Sequence, residues 1–209
     1  MLGTVSALYR YPVKALRVEP LTHAVVEAGG FAGDRGRALI VETPEHARTG
    51  KTYRGKENRR LHLVDTIDAA EDLALGAGLA VAVAGEEPHY FDAEPVSIIF
   101  DTWIRELEAL AGRAVDPLQF RPNIVATAAP DFAYAERDLI GAHLTVGAVA
   151  FEVVSQITRC VTISYDVTTG AADPALQRTI VQQRDNKMGI YCRVRTPGTI
   201  NLGAPIARL

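Results

Sequence analysis

Short runs of alternating apolar and polar residues dominate the chain, and this period-two pattern predicts β-strands. They fall at 4–9, 22–28 (THAVVEA) and 37–42 (RALIVE), with glycine-rich GGFAGDRG between the last two. Further strands are expected at 61–64 (LHLV), 79–84 (LAVAVA) and 89–92 (HYFD). The second half adds 123–128, 143–147, 150–156, 160–166, 189–194 and 198–203. Helical spacing is confined to three places. Ile67, Ala70 and Leu73 predict one helix over 66–76. Ile104, Leu107 and Leu110 predict a second, capped by Asp101 or Thr102 and ended by Gly112. Asp173-Pro174 opens the third, with Leu176, Ile180 and Val181 as its apolar face. Residues 43–60 are a polar loop. Many short strands with few helices predict a mainly β protein of the β-barrel class. The division expected is a smaller β-rich segment over 1–94 and a barrel domain over 95–209.

Composition narrows the function. With 48% hydrophobic residues in 209, a packed core is assured. A net charge of -3 calls for neither nucleic acid nor an anionic membrane as partner. No apolar run reaches the roughly 18 residues of a membrane span, and the first residues lack a signal-peptide pattern. A cytoplasmic location is therefore expected. The two cysteines, Cys160 and Cys192, form no disulfide framework. Two thiols also cannot hold a cluster that needs four, so electrons for any redox reaction must arrive from another protein.

Several short motifs carry candidate chemistry. TGKT at 49–52 lacks the glycine five residues before Gly50 that a phosphate loop needs; Glu45 stands there. The five histidines show no zinc-site spacing. Basic residues are instead placed at turns: Lys14 in YPVKA, Arg35 in GDRGR and Arg121 in FRPNI, where Pro122 restrains the backbone and Asn123 opens a strand. The loop over 48–60 adds Arg48, Lys51, Arg54, Lys56, Arg59 and Arg60 against Glu57. Singly these read as solvated cations. Together they could converge on one anionic ligand. Cys160 follows Arg159 at the end of an apolar run, where a nearby cation favours the thiolate. Cys192 alternates within GIYCRV and reads as core.

YPVKA, GDR, FRPNIV, ITRCVTISYDVTTG and GIYCRVRTPGTINLG occur in this order. The set resembles the MOSC family, named after the C-terminal domain of molybdenum cofactor sulfurase, in its two-part form with an N-terminal β-barrel segment, as in amidoxime-reducing enzymes. The resemblance implies a molybdenum cofactor (molybdopterin), with Cys160 as metal ligand and catalytic centre. It further implies cofactor contacts from Lys14, Arg35, Arg121, Asn123, Thr158 and Arg159, with Thr52 or Arg54 supplying polar contacts from the loop. The activity implied is a molybdenum-dependent oxidoreductase that reduces small N-hydroxylated or N-oxide substrates. A separate flavin or iron–sulfur protein would be its electron donor. The alternative is a carrier of sulfur, as a Cys160 persulfide, or of the cofactor itself. No pyridoxal phosphate is expected, because the chain has no room for a desulfurase domain. Asp166 is a possible polar or proton-relay group. Ala15, in place of the family's usual serine, and Leu139, in place of tryptophan, are departures.

Overall fold

A computed structural model describes residues 1–85 and 89–209. Among the described residues there are thirteen strands: β1 (Gly3–Arg10), β2 (Glu19–Leu21), β3 (His23–Glu27), β4 (Gly30–Phe31), β5 (Ala38–Val41), β6 (Val81–Ala84), β7 (Val96–Phe100), β8 (Ile124–Ala128), β9 (His143–Val146), β10 (Val149–Thr158), β11 (Lys187–Thr196), β12 (Gly198–Asn201) and β13 (Pro205–Arg208). Three α-helices join them: α1 (Ile67–Gly76), α2 (Asp101–Ala111) and α3 (Pro174–Gln183). No helix among the described residues is long and apolar enough to cross a membrane.

Seven strands close a barrel in the order β1-β13-β9-β10-β11-β7-β8, with β2 attached to β1. Closure removes the exposed edges that an open sheet would present. All neighbours in it are antiparallel except β7 and β8, which run parallel with Ile98 opposite Ile124. A parallel pair needs a crossover, and α2 supplies it. Every residue of β7 is buried. This strand shows no alternation because both its faces are covered, so period two cannot reveal it.

The N-terminal and C-terminal segments exchange strands. β1 is a stave of the barrel, while β12 pairs with β3 in a second sheet that also holds β4. The 94/95 division thus runs through an interleaved structure. The β5–β6 ribbon packs with α1 around a small separate core that includes Val13, Leu39, Val41, Tyr53, Leu61 and Ala70.

Three expected strands are absent. Leu61–Leu63 and Val161–Ser164 are single 3-10 turns, and 89–92 is irregular chain. Beyond Thr158, which pairs with Lys187, β10 has no further strand to bond. The chain therefore turns, and Ile163 N–H bonds to the Cys160 carbonyl. The α2 cap also differs. Phe100 occupies the cap position, and Asp101 lies inside the helix, where its Oδ1 accepts from Ala128 N–H at 2.9 Å. Gly112 ends α2 in the left-handed conformation, and Asp173 caps α3 by accepting from Ala175 N–H. Leu176 and Ile180 are buried as expected, but Val181 is exposed.

Candidate functional site

A cleft of about 610 Å³ opens where the end of β10, the 54–56 loop, the 90–94 segment and the Leu118–Arg121 turn meet. Lys14, Arg35, Arg54, Arg121, Asn123, Thr158, Arg159 and Cys160 all line it. Thr52 does not. It bridges to Ile40 beside β5, and its carbonyl accepts from the Arg48 guanidinium at 2.7 Å.

The chain reaches the cleft through strained turns. Ala15, Arg35 and Arg121 have φ of 72°, 48° and 51°. Side chains other than glycine rarely occupy this region, and such strain concentrates at functional sites. Asp34, nearly fully buried, accepts from Tyr11 N–H at 2.7 Å and pairs with Arg35 Nη1. Arg35 Nη2 donates to the Arg121 carbonyl at 3.1 Å. Both guanidinium groups lie against the Tyr11 ring, at 4.6 Å for Arg35 and 4.1 Å for Arg121. Tyr11 itself is anchored by donating to the Pro122 carbonyl at 3.2 Å.

The cations differ in how they are satisfied. Lys14 Nζ meets Asp92 Oδ1 at 2.6 Å, and Arg54 Nη2 meets Glu57 Oε1 at 2.7 Å. Arg159 donates to the Phe120 and Met188 carbonyls at 2.9 and 2.8 Å, and it ties β10 to β11 and to the Leu118–Arg121 turn. Arg121 has no carboxylate partner among the described residues, and its buried Nη2 meets no acceptor. Burial pulls both Arg121 and Arg159 down to about 10, so each remains charged at neutral pH.

Asn123 is committed to the barrel. Its Oδ1 accepts from the backbone and hydroxyl of Ser97, both at 3.1 Å, and Nδ2 donates to the Tyr9 carbonyl. The Thr158 hydroxyl accepts from Lys187 Nζ. Cys160 is a free, half-buried thiol with Sγ 3.0 Å from Thr162 Oγ1. Cys192 is fully buried on β11, and burial pushes its thiol up. Only Cys160 faces the cleft.

Of the rim, sequence reasoning named only Asp166. His62 Nε2–H donates to the Asp166 carbonyl at 2.9 Å and stacks on Tyr165, so it bridges the two segments across the cleft mouth. The Asp166 carboxylate accepts from Thr168 and Thr169, is held below its ordinary value chiefly by the Thr169 bonds, and serves its own turn. Tyr90 and Tyr191 also line the cleft. No spacing rule marks these residues, because they converge from separate elements. Ala15 stands in the wall, whereas Leu139 is fully buried in the barrel core.

Known proteins share this architecture and part of this sequence. The YuaD protein of Bacillus subtilis superposes with a TM-score of 0.59 over 99% of this chain and 94% of its own, at 16% identity, a likeness of fold alone. Mitochondrial amidoxime-reducing component 1 of Danio rerio is 26% identical over 133 residues, which are 59% of this chain and 40% of the relative. The chain thus aligns with less than half the length of that curated relative. The sequence model of the MOSC domain matches residues 85–207, which hold six of the seven barrel strands and Cys160. This chain belongs to the MOSC domain family.

Proposed function

We propose that this protein binds the molybdenum cofactor in the cleft and reduces small N-hydroxylated or N-oxide substrates. The observation that carries the proposal is the buried Arg121 Nη2 without an acceptor, in the same cleft as the half-exposed Cys160 thiol. A buried donor left unpaired is costly, so its presence argues for an anionic ligand that completes it. A phosphate-bearing cofactor fits that need. Among the described residues no group of three or more His, Cys, Asp or Glu could hold a metal ion. A metal at Cys160 would therefore bring most of its own ligands, as a dithiolene does, and take one soft thiolate from the protein. The curated relative, by its name, reduces amidoximes, and this supports the choice of substrate.

The residues divide the work. Arg121, Arg35 and Lys14 would hold the anionic end, with Tyr11 and Asp34 fixing the two arginines. Cys160 would hold the metal. Leu118, Phe120, Ile163 and Val167 line the walls and limit water. The cofactor, when bound, supplies two-electron reduction of the N–O bond. A separate flavin or iron–sulfur protein would deliver the electrons.

Protein from a molybdate-fed host should carry near-stoichiometric molybdenum and a releasable pterin. It should reduce an aryl amidoxime with a reduced viologen. Cys160→Ser should fold normally, lose that activity and change the metal spectrum. Metal-free protein with cyanide-labile sulfur that vanishes in Cys160→Ser would favour the persulfide carrier instead.

A further inference from the structure

We propose that Tyr191 is the acid that protonates the departing oxygen of the substrate, an inference that rests on the reductase reading above. Period two on β11 decides where this side chain points: Ile190 and Cys192 are fully buried in the barrel core, and Tyr191 between them faces the cleft. Its ladder partners are Ser155 on β10 and Ser97 on β7, two further residues of the cleft wall.

Several other polar groups of the inner wall are occupied, whereas Arg121 is left to the anionic end of the ligand. Lys14 is bound to Asp92, Arg54 to Glu57, Arg159 to two carbonyls and Asn123 to Ser97 and Tyr9. Lys56 stands exposed at the mouth. Tyr165 is stacked on His62 at the rim. Tyr191 shares the cleft wall with Arg159, Arg35 and Cys160. Burial raises its phenol, Asp92 adds to the rise, and Arg159 and Arg35 oppose it. The group therefore keeps its proton at neutral pH, and two cations stand ready for the phenolate formed on proton transfer.

The substrate N–O bond takes up two electrons from the donor protein and breaks. The Tyr191 O–H bond breaks, its proton joins the departing hydroxyl, and water leaves. A second proton from solvent reaches the nitrogen, and a third restores the phenol after release.

The test compares wild type, Tyr191→Phe, Tyr165→Phe and Tyr90→Phe as cofactor-loaded proteins. Tyr191→Phe should keep its molybdenum content and melting temperature. With reduced viologen, its kcat for an aryl amidoxime should fall at least about a hundredfold. Calorimetric binding of the same amidoxime to the oxidised protein, where no turnover occurs, should weaken about threefold to tenfold for the lost hydrogen bond. Replacing Tyr191 by 3-fluorotyrosine should restore the rate and move the alkaline limb of the pH–rate profile to lower pH. Unchanged kcat and binding in Tyr191→Phe, or losses in Tyr165→Phe or Tyr90→Phe in its place, would overturn the assignment and leave the reductase reading standing. A loaded wild type that reduces no N-hydroxylated compound would overturn both.

Discussion

The Arg121 guanidinium stacks 4.1 Å above the Tyr11 ring centroid, and its buried Nη2 meets no acceptor among the described residues. The ring holds the fork in place without using its donors, so the cation is preorganised for an anion. Arg121→Ala should weaken inorganic pyrophosphate binding to the cofactor-free protein at least about tenfold, the loss of one charge-assisted hydrogen bond. Arg121→Lys should recover little, because a point charge cannot replace the stacked planar fork. The melting temperature should hardly move, since the native chain leaves that donor unpaired. Titration calorimetry and thermal denaturation check both expectations; undiminished binding would remove Arg121 from the site.

Lys14 and Asp92 predict the opposite sign. The Lys14 side chain is 16% exposed and that of Asp92 is 76% exposed. A carboxylate on the rim thus occupies a cation of the inner wall. Asp92→Asn should tighten pyrophosphate binding, because the ligand no longer competes with an internal anion. Stability should change by less than about 1 kcal/mol, as for other exposed ion pairs. Equal affinities for wild type and Asp92→Asn would show that the pair and the ligand do not share Lys14.

Gly189 is the backbone position on which the wall depends. Its φ is 79°, and a Cβ there would lie 2.8 Å from Ile99 Cγ1 and 3.1 Å from both Arg159 Nη2 and the Ile98 carbonyl. Gly189→Ala should cost roughly 1–3 kcal/mol in denaturant unfolding, from the positive φ and the overpacking together. It should also push Arg159 off its carbonyls and disturb Cys160 next to it. A stability equal to wild type would mean that the β10–β11 ladder yields more readily than this packing implies.

The 54–57 turn carries a pH dependence. Burial raises the Glu57 carboxyl, but the Arg54 side-chain bond, its charge and its backbone N–H outweigh that and hold the group below the ordinary 4.5. A lowered folded value means that the interaction stabilises fully above pH 4.5 and is lost as pH falls through that lower value. The Arg54 amide, 2.9 Å from Glu57 Oε2, should report the transition by NMR below pH 4.5 and not above it. In Glu57→Gln that transition should disappear. A midpoint at or above 4.5 would contradict the sign.

Period two and turn chemistry were enough to read most barrel staves from the residues alone: 4–9, 123–128, 143–147, 150–156 and 189–194 each contain or overlap a strand. Asp173-Pro174 and Gly112 likewise carry their helix boundaries in local stereochemistry. The ordered strings around Lys14, Arg35, Arg121 and Cys160 marked the wall of one cleft, because each sits at a turn whose backbone is set by its neighbours. What local pattern could not supply depends on partners distant in the chain. VSIIF at 96–100 is a strand because α2 covers its outer face, and burial on both sides erases alternation. CVTIS alternates as a strand would, yet it turns because β10 runs out of a partner at Thr158. Which cations are free was decided only in three dimensions. Lys14, Arg54 and Arg159 find acceptors 78, 3, and 29 and 39 residues away, while Arg121 finds none for its buried nitrogen among the described residues. A charge's partner is a matter of distance through space, and only the closed barrel brings those groups within hydrogen-bonding range.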